Sequence, residues 1–508
     1  MHTLARRHSP YLPLAAAALL CAGLASAFWP LYSACAVGMA LLAFLVFSVQ
    51  RRPATWQLLA AFCLAGYIIL NYGFTNLGLP VGLPLPVGHL LAFAALGLAA
   101  AARPREAREF LASPVGVLWL LLLFATLLHL SFDFPQYGIF ALRDTTFIVE
   151  GAFLLLGFLW ARSARGSAML LRVLGLIFVA NFLYALTFPM RESLIALSPK
   201  SGIFLRVPLF GFYSQTALFL IVGALFCFTV ARHITRLPPA TLWFLAMLQA
   251  SWSLVFQARY AYVALVLGII VMFFLLGARR ALPLAVGLLA AAGLFLLVLA
   301  LAGVQAAGRV GPVQPEFYIE HLQSLLLRPG APAVGTITWR IEIMRHLIAR
   351  WLEHPVAVLV GMGFGMPLTG WRLAGGVITR QPHNTHLSVL ARLGIVGFAF
   401  WALLHWHIVR MFLSELRRAR RLPMHRDVYA WLFSFYVLGL FLTSVQPWLE
   451  FSHGAIPFYL LLGFAFGLRR RLLALRATSA ARAAPPSRPG ARARRYWAAL
   501  GARQAKTS

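Results

Sequence analysis

Acidic residues are scarce in this chain of 508 residues, which has 13 Asp and Glu residues against 44 Lys and Arg. The only aspartates are Asp133, Asp144 and Asp427, and no Asp-x-Asp pair occurs. Mg²⁺ and Ca²⁺ bind to clustered carboxylate and other oxygen ligands. The sequence therefore disfavours a metal-dependent sugar-nucleotide transferase, and we expect neither a metal nor another cofactor.

Charged residues of both signs are also few, at 11% of the chain, whereas 61% of the residues are hydrophobic. Soluble globular proteins carry about 25% charged residues. Apolar runs recur along nearly the whole length, each long enough to cross a hydrocarbon layer about 30 Å thick. Because the runs are continuous rather than alternating, they predict helices and exclude a membrane β-barrel. The fold class is therefore an all-α polytopic membrane protein.

The pattern predicts about 14 (12–14) transmembrane helices, with one large outward loop that contains a short helix. The predicted spans are 11–28, 31–49, 55–73, 86–102, 115–131, 146–162, 168–188, 212–231, 238–256, 260–277, 281–303, 385–412, 428–447 and 454–468.

Cysteine is limited to four residues, all inside apolar runs, so no disulfide framework is indicated. They are Cys21, Cys35, Cys63 and Cys227. At the start of the chain, Arg6-Arg7, an apolar run and Ala25-Ser26-Ala27 would fit a signal peptide. Because a second apolar run, 31–49, follows almost at once, we expect an uncleaved first span instead.

The formal net charge of +31 would suggest nucleic acid as a partner of a soluble protein. Here the arginines crowd into alternate short loops, which is the positive-inside pattern of membrane proteins. No nucleic-acid partner is expected. The pattern places both termini on the cytoplasmic side, and it predicts an outward position for the loops 132–145, 189–211, 304–382 and 448–453, and for the tight turn near Arg259.

The chain divides into three predicted parts. Residues 1–199 form N-terminal transmembrane helices, residues 200–471 contain the candidate catalytic region with the outward loop 304–382, and residues 472–508 form a disordered basic cytoplasmic tail. Ala, Arg, Pro and Ser dominate the tail, which would contact anionic membrane lipid.

The second half of the outward loop predicts a helix after Thr338. Its apolar residues recur at spacings of three and four, which puts them on one face. Pro355 fits the end of this helix, and the glycine-rich segment 361–366 predicts a turn. The apolar positions are Ile341, Met344, Leu347, Ile348, Trp351 and Leu352.

Two histidines lie where this loop returns to an apolar run, in Pro382-His383-Asn384-Thr385-His386-Leu387. A zinc site needs three or four ligands, and no cysteine lies nearby. A neutral imidazole can instead take a proton from a hydroxyl group. The alternative is a histidine that only hydrogen-bonds the backbone at a helix start, and the residues alone leave both interpretations open.

Four arginines lie on the predicted outward side, where the positive-inside rule does not require them. Guanidinium groups bind phosphate oxygens through two parallel hydrogen bonds. Several of them at the outer membrane boundary would suit a diphosphate on a lipid carrier. We expect this function for Arg259, whereas interfacial snorkelling explains Arg380 better. The four are Arg206, Arg259, Arg340 and Arg380.

Together these residues resemble the O-antigen ligase and O-antigen polymerase superfamily. Pro382-His383-Asn384-x-x-Leu387, followed by Gly394 and Gly397, is similar to its signature. Gln257-Ala258-Arg259-Tyr260-Ala261 resembles the family's arginine at the head of a span, and Trp339-Arg340 with Gly361-x-Gly363-x-Gly365 resembles its loop helix and glycine turn. The resemblance covers about 200–450.

The resemblance implies a multi-pass glycosyltransferase of the bacterial inner membrane with a periplasmic active site. Such enzymes transfer a glycan from undecaprenyl diphosphate to an acceptor, without a metal in the ligases. Carried over, His383 would activate the acceptor hydroxyl, and Arg206, Arg259 and Arg340 would bind the diphosphate. Asn384 and His386 are further candidates for substrate binding.

Three functions remain as alternatives. The first is a ligase that uses lipid A-core as acceptor, and the second is a polymerase of O-antigen or exopolysaccharide repeat units. The third belongs to another class, a polysaccharide transporter or flippase. Transporters tend to show internal repeats, which this chain lacks, so we expect an enzyme.

Overall fold

A computed structural model describes residues 53–78, 86–201, 207–301, 308–311, 313–325, 335–370, 379–419 and 422–483. Over these residues the protein is almost entirely helical. The predicted spans 11–28 and 31–49 lie outside the described residues, and so does Arg206.

Ten α-helices of the described residues precede a small sheet, in which Lys200–Ser201 (β1) pairs antiparallel with Val207–Pro208 (β2). The helices are α1 Thr55–Ala65, α2 Tyr72–Thr75, α3 Val87–Ala102, α4 Pro104–Leu111, α5 Pro114–Tyr137, α6 Ile139–Asp144, α7 Thr146–Val149, α8 Phe153–Ala161, α9 Ala164–Leu186 and α10 Arg191–Leu197.

Eleven further helices follow the sheet in the described part of the chain. They are α11 Thr216–Phe226, α12 Arg232–Ile234, α13 Pro239–Trp252, α14 Arg259–Leu276, α15 Ala278–Leu301, α16 Pro315–Leu325, α17 Gly335–Leu352, α18 Pro355–Val360, α19 Thr385–Arg418, α20 Pro423–Val445 and α21 Ser452–Ala483.

Among the described residues, eight helices are long and apolar enough to cross a membrane. The number rises to nine if α3 and α4, bent by 105°, form one span. Two shorter apolar helices, Thr55–Leu70 and Thr146–Ala161, coincide with the predicted spans 55–73 and 146–162. The all-α membrane fold is thus confirmed, whereas the total of fourteen spans stays a prediction.

Glycine allows a very close contact between helices α8 and α21. A Cβ atom at Gly157 would collide with the Leu460 carbonyl oxygen, and one at Gly463 would collide with that of Leu154. Small residues let two backbones approach in this way, which favours helix association in lipid, where the hydrophobic effect contributes little.

The large loop is more helical than its sequence suggests. The predicted loop helix is α17, which ends at Leu352 before Pro355. Helix α16 is not predicted by the sequence, because a segment rich in glycine and proline precedes it. Helix α21 continues to Ala483, so residues 472–483, which we assigned to a disordered tail, are helical. Alanine, leucine and arginine are strong helix formers, which accounts for this extension.

Candidate active site

His383 lies immediately before helix α19, in a strained backbone conformation. Its φ angle is 56°, which few residues other than glycine adopt. The next residue, Asn384, is the N-cap of α19, and its side-chain oxygen accepts a hydrogen bond of 3.1 Å from the Leu387 N–H. Strained residues concentrate at functional sites. The cap fixes where the helix begins and therefore where the His383 ring projects.

The imidazole of His383 is surrounded by aromatic and cationic groups. Its ring meets Trp339 edge to face with the centroids 5.4 Å apart, and Gln446 hydrogen-bonds to it. Burial, and secondly the positive charge of Arg340, lower the pKa of His383 to about 4. Its Nδ1 atom is buried without a hydrogen-bond partner in the described part of the chain. A neutral imidazole with an unused nitrogen can accept a proton.

Arg340 projects from α17 toward the end of span α20. One of its terminal nitrogens donates a 3.2 Å hydrogen bond to the Val445 carbonyl, and its guanidinium lies 5.7 Å from the Trp339 ring centroid. Burial lowers the pKa of Arg340, and the nearby charge of Arg259 lowers it further. Its Nε is buried without a partner among the described residues. Arg340 therefore retains donor capacity for an anion.

Arg259 is the first residue of span α14, as the sequence predicts. It donates a 3.2 Å hydrogen bond to the Ser324 hydroxyl of α16. The preceding Gln257 has a φ angle of 48°, and its side-chain oxygen accepts hydrogen bonds from the backbone N–H groups of Val310 and Gly311 at 2.7 and 2.9 Å. Gln257 therefore holds the start of the large loop against the head of α14.

Arg309 is a residue of this cluster that sequence analysis missed. Its Nε donates a 3.0 Å hydrogen bond to the Phe256 carbonyl, and it lies within electrostatic reach of Tyr260 and His321. Burial, followed by the charges of Arg259 and Arg309, lowers the pKa of His321 to about 4. An arginine on the outward side of the topology was the only signal in the sequence that could have found it.

The structure thus places Arg340 beside His383 and within electrostatic reach of Arg259. Arg309 joins them through Tyr260, which both Arg309 and Arg340 affect. Among the described residues, no carboxylate contributes to the pKa shifts of His383, His321 or Arg340. Clustered positive charges attract an anionic ligand, most strongly where water is partly excluded. The arrangement suits a group with several negative oxygens beside a neutral base.

Two of the predicted residues do not join this cluster. The ring of His386 turns into the bundle, where Nδ1 accepts a 3.2 Å hydrogen bond from the Trp401 indole and the ring also bonds the Leu440 backbone. Both interactions belong to helix packing. Asn384 uses its side-chain oxygen in the helix cap, so this oxygen is occupied. Their predicted roles in substrate binding receive no support from these contacts.

Arg380 also lies outside the cluster, but an ion pair rather than snorkelling explains its position. It pairs with Asp144 at 3.2 Å and donates a hydrogen bond to the Gly365 carbonyl. Arg392 pairs with the same carboxylate at 2.7 Å, and both side chains are 1% exposed. This buried network attaches the loop before His383 to helix α6.

The glycine turn is held by two of the three aspartates. The Phe364 N–H donates to Asp133 at 2.7 Å, and the Gly365 N–H donates to Asp144 at 3.3 Å. Gly363 has a φ angle of 77°, and a Cβ atom there would collide with the Asp133 carboxylate. The turn therefore requires glycine at this position. These aspartates therefore have a structural role in holding the turn.

In the described part of the chain, no group of three or more His, Cys, Asp or Glu residues is placed to hold a metal ion. The four glutamates of the large loop are exposed and do not enter the cluster. Glu450, which lies outside the large loop, is buried away from the cluster and accepts a 2.8 Å hydrogen bond from Ser388. Burial raises the pKa of Glu450 to about 7. The loop glutamates are Glu316, Glu320, Glu342 and Glu353.

Part of the chain matches a known protein family. Residues 251–402 match the family model described as O-antigen ligase. The resemblance to the O-antigen ligase and polymerase superfamily is therefore confirmed over this segment, which contains Arg259, Arg309, Arg340 and His383. No curated protein matches the chain.

Proposed function

We propose that this protein is a membrane glycosyltransferase that moves a glycan from undecaprenyl diphosphate to an acceptor hydroxyl group. The observation that carries the proposal is the cluster of Arg259, Arg309 and Arg340 beside the neutral imidazole of His383. The match of 251–402 to the O-antigen ligase family supports the same class of reaction.

In the proposed reaction, His383 accepts the proton of the acceptor hydroxyl group. The hydroxyl oxygen then forms a bond to the anomeric carbon of the glycan. The bond between that carbon and the diphosphate oxygen breaks, and the electron pair leaves with undecaprenyl diphosphate. The guanidinium groups stabilise the charge that develops on this leaving group. No metal is needed, because the arginines provide the positive charge.

The position of the cluster at the ends of spans favours a lipid-linked donor. Arg259 begins α14, and Arg340 donates to Val445 at the end of α20. A lipid carrier in the bilayer presents its diphosphate at this depth, whereas a soluble sugar nucleotide does not need such a site. We infer from the positive-inside pattern that this end faces the periplasm of a bacterial inner membrane.

Replacement of His383 by alanine tests the proposal. We expect His383→Ala to abolish glycan transfer while the protein stays folded in the membrane. His346 is the matched control, because it is an exposed histidine on α17, and His346→Ala should transfer at the wild-type rate. Glycan products from a deletion strain that carries each variant provide the measurement. Full product from His383→Ala would rule out the proposed base.

The deletion strain also distinguishes a ligase from a polymerase, because the two use different acceptors. If the protein is a ligase, as we propose first, deletion leaves glycan of normal chain length on the lipid carrier and none on lipid A-core. If it is a polymerase of O-antigen or exopolysaccharide units, deletion leaves single repeat units instead. Accumulation of lipid-linked glycan on the cytoplasmic side would favour the transporter.

A further inference from the structure

A second basic site lies at the opposite end of the bundle from His383. It is a cavity of about 290 Å³ between the ends of α11, α13, α14, α15 and α20. Its distance from the first site follows from α14, which starts at Arg259 and ends at Leu276 beside the cavity. At 1.5 Å per residue, the two sites are about 26 Å apart. The second site therefore has no direct part in the proposed transfer reaction.

Positive charges outnumber negative charges in this cavity. Arg232, Arg279 and Arg280 line it together with a single carboxylate, Asp427. That carboxylate is fully buried and accepts hydrogen bonds from Arg232, His233 and Arg280. Arg279 is exposed and has no ion pair or hydrogen bond among the described residues. Three guanidinium groups beside one carboxylate leave a formal excess of two positive charges.

The remaining wall of the cavity is apolar. Phe228 and Trp243 meet edge to face with their centroids 5.0 Å apart, and Leu276 and Pro283 complete this side. Next to these wall residues in the chain, Phe244 on α13 is 60% exposed and Leu282 on α15 is 57% exposed, where lipid surrounds a membrane helix. One wall thus offers hydrogen-bond donors and positive charge, while the other continues into the lipid-facing surface.

The backbone at this cavity departs from regular α-helix. Residues Cys227–Ala231 form a π-helical turn at the end of α11, and Cys227, Phe228 and Thr229 of this turn line the cavity. Such turns inside helices are frequently found at functional sites. The turn widens the helix end where the cavity forms.

We propose that this cavity binds the phosphate headgroup of an anionic glycerophospholipid. The guanidinium groups hold the phosphate oxygens, and the acyl chains lie along Trp243 and the apolar surface beyond it. Basic pockets between transmembrane helices on the cytoplasmic side bind such headgroups, and the positive-inside pattern predicts that side for 232–236 and 279–280. The volume lies at the lower end of the range of about 300–1,000 Å³ for ligand pockets, which suits a headgroup alone.

Native mass spectrometry of the full chain in detergent tests this site. Phosphatidylglycerol is the probe, with phosphatidylcholine of the same acyl chains and inorganic phosphate as comparisons. We expect phosphatidylglycerol to bind, and Arg279→Gln to weaken it at least about tenfold. The matched control is Arg417→Gln, because Arg417 is exposed and bonds only its own helix carbonyl at Leu413. This control should bind like the wild type.

A second pair of variants tests the apolar wall without changing charge. Trp243→Ala should also weaken phosphatidylglycerol, whereas Trp406→Ala should not, since Trp406 is 57% exposed elsewhere on α19. Thermal unfolding without lipid shows that each variant is folded. Equal losses from Arg279→Gln and Arg417→Gln would indicate diffuse attraction to a basic surface and overturn the site. Equal competition by inorganic phosphate, or equal binding of phosphatidylcholine, would overturn the assignment to an anionic lipid.

Discussion

At His383, burial and the neighbouring Arg340 both lower the pKa of the imidazole. Burial disfavours the charged imidazole, and a nearby guanidinium disfavours a second positive charge. Gln446 opposes them only partly, by a hydrogen bond to the ring. The result is a histidine whose pKa is depressed from its usual value near 6.5 to about 4. The imidazole therefore stays neutral, with one ring nitrogen unprotonated, over the whole physiological pH range.

This depressed pKa predicts an unusual pH profile. Because the neutral form is the base, its function is present above about pH 4 and is lost as the pH falls through that value. We expect kcat/KM for transfer by the purified protein to show no decrease around pH 6.5, the usual pKa of histidine. A loss of activity with its midpoint near 6.5 would contradict the proposed environment of His383.

The arginines of the cluster should not tolerate lysine. A lysine keeps the charge but cannot form the two parallel hydrogen bonds of a guanidinium group. We expect Arg259→Lys and Arg340→Lys each to reduce the transfer rate at least about tenfold, or about 1.4 kcal/mol in transition-state stabilisation. Arg345→Lys, at an exposed position of α17, is the control with the same substitution. Wild-type transfer rates in both Arg259→Lys and Arg340→Lys would show that the diphosphate does not bind to these arginines.

At the scale of secondary-structure elements, the N-terminal ends of two helices position side chains of the proposed active site. Arg259 is the first residue of α14, and His383 directly precedes the N-cap of α19. Helix α17 brings Arg340 between them. The apolar spacing and Pro355 were enough to predict α17 from the sequence, because they depend on neighbouring residues. The contact of α16 with Arg259 was not predicted, because Ser324 follows Arg259 by 65 positions.

Substitutions of Asn384 can show whether this residue acts as a helix cap or also contacts the substrate. We expect Asn384→Ala to destabilise the start of α19 by about 1 kcal/mol, the usual cost of losing an N-cap. Thermal unfolding in detergent and transfer activity should both decline. Asn384→Ser keeps a capping oxygen, so it should recover both. If serine restores the thermal stability but not the activity, the amide contacts the substrate or the imidazole, as the resemblance first implied.

At the scale of the whole molecule, the loops form two groups at opposite ends of the helix bundle. Loops that the charge pattern predicts on one side contact each other, as Asp133 does with Phe364 and Arg191 with Gly308. At the other end Arg232 meets Asp427. The proposed active site and the proposed lipid site lie at these opposite ends. This separation agrees with one consistent orientation of the helices.

Asp144 links distant parts of the chain, and its loss should weaken the whole fold. It lies 248 positions before Arg392, and Asp144→Asn would leave that buried guanidinium without its carboxylate. Breaking a buried pair costs about 3–5 kcal/mol, so we expect a large decrease in the unfolding temperature in detergent. The partly exposed pair Glu109–Arg162 is the control, where Glu109→Gln should cost at most about 1 kcal/mol. Similar small effects in both variants would show that the network is not structurally important.

The sequence by itself determined the helical membrane class, the loop helix and the candidates Arg259, Arg340 and His383. Each of these follows from local patterns: apolar length, residue spacing and the position of a charge at a span end. Only the tertiary structure decided that Arg309 joins the cluster, that His386 packs against Trp401, and that Arg380 pairs with Asp144. Arg309 and Arg380 contact residues 53 and 236 positions away, and His386, besides meeting Trp401 of its own helix, bonds the Leu440 backbone of α20. No local pattern specifies which distant groups the packed helices bring together.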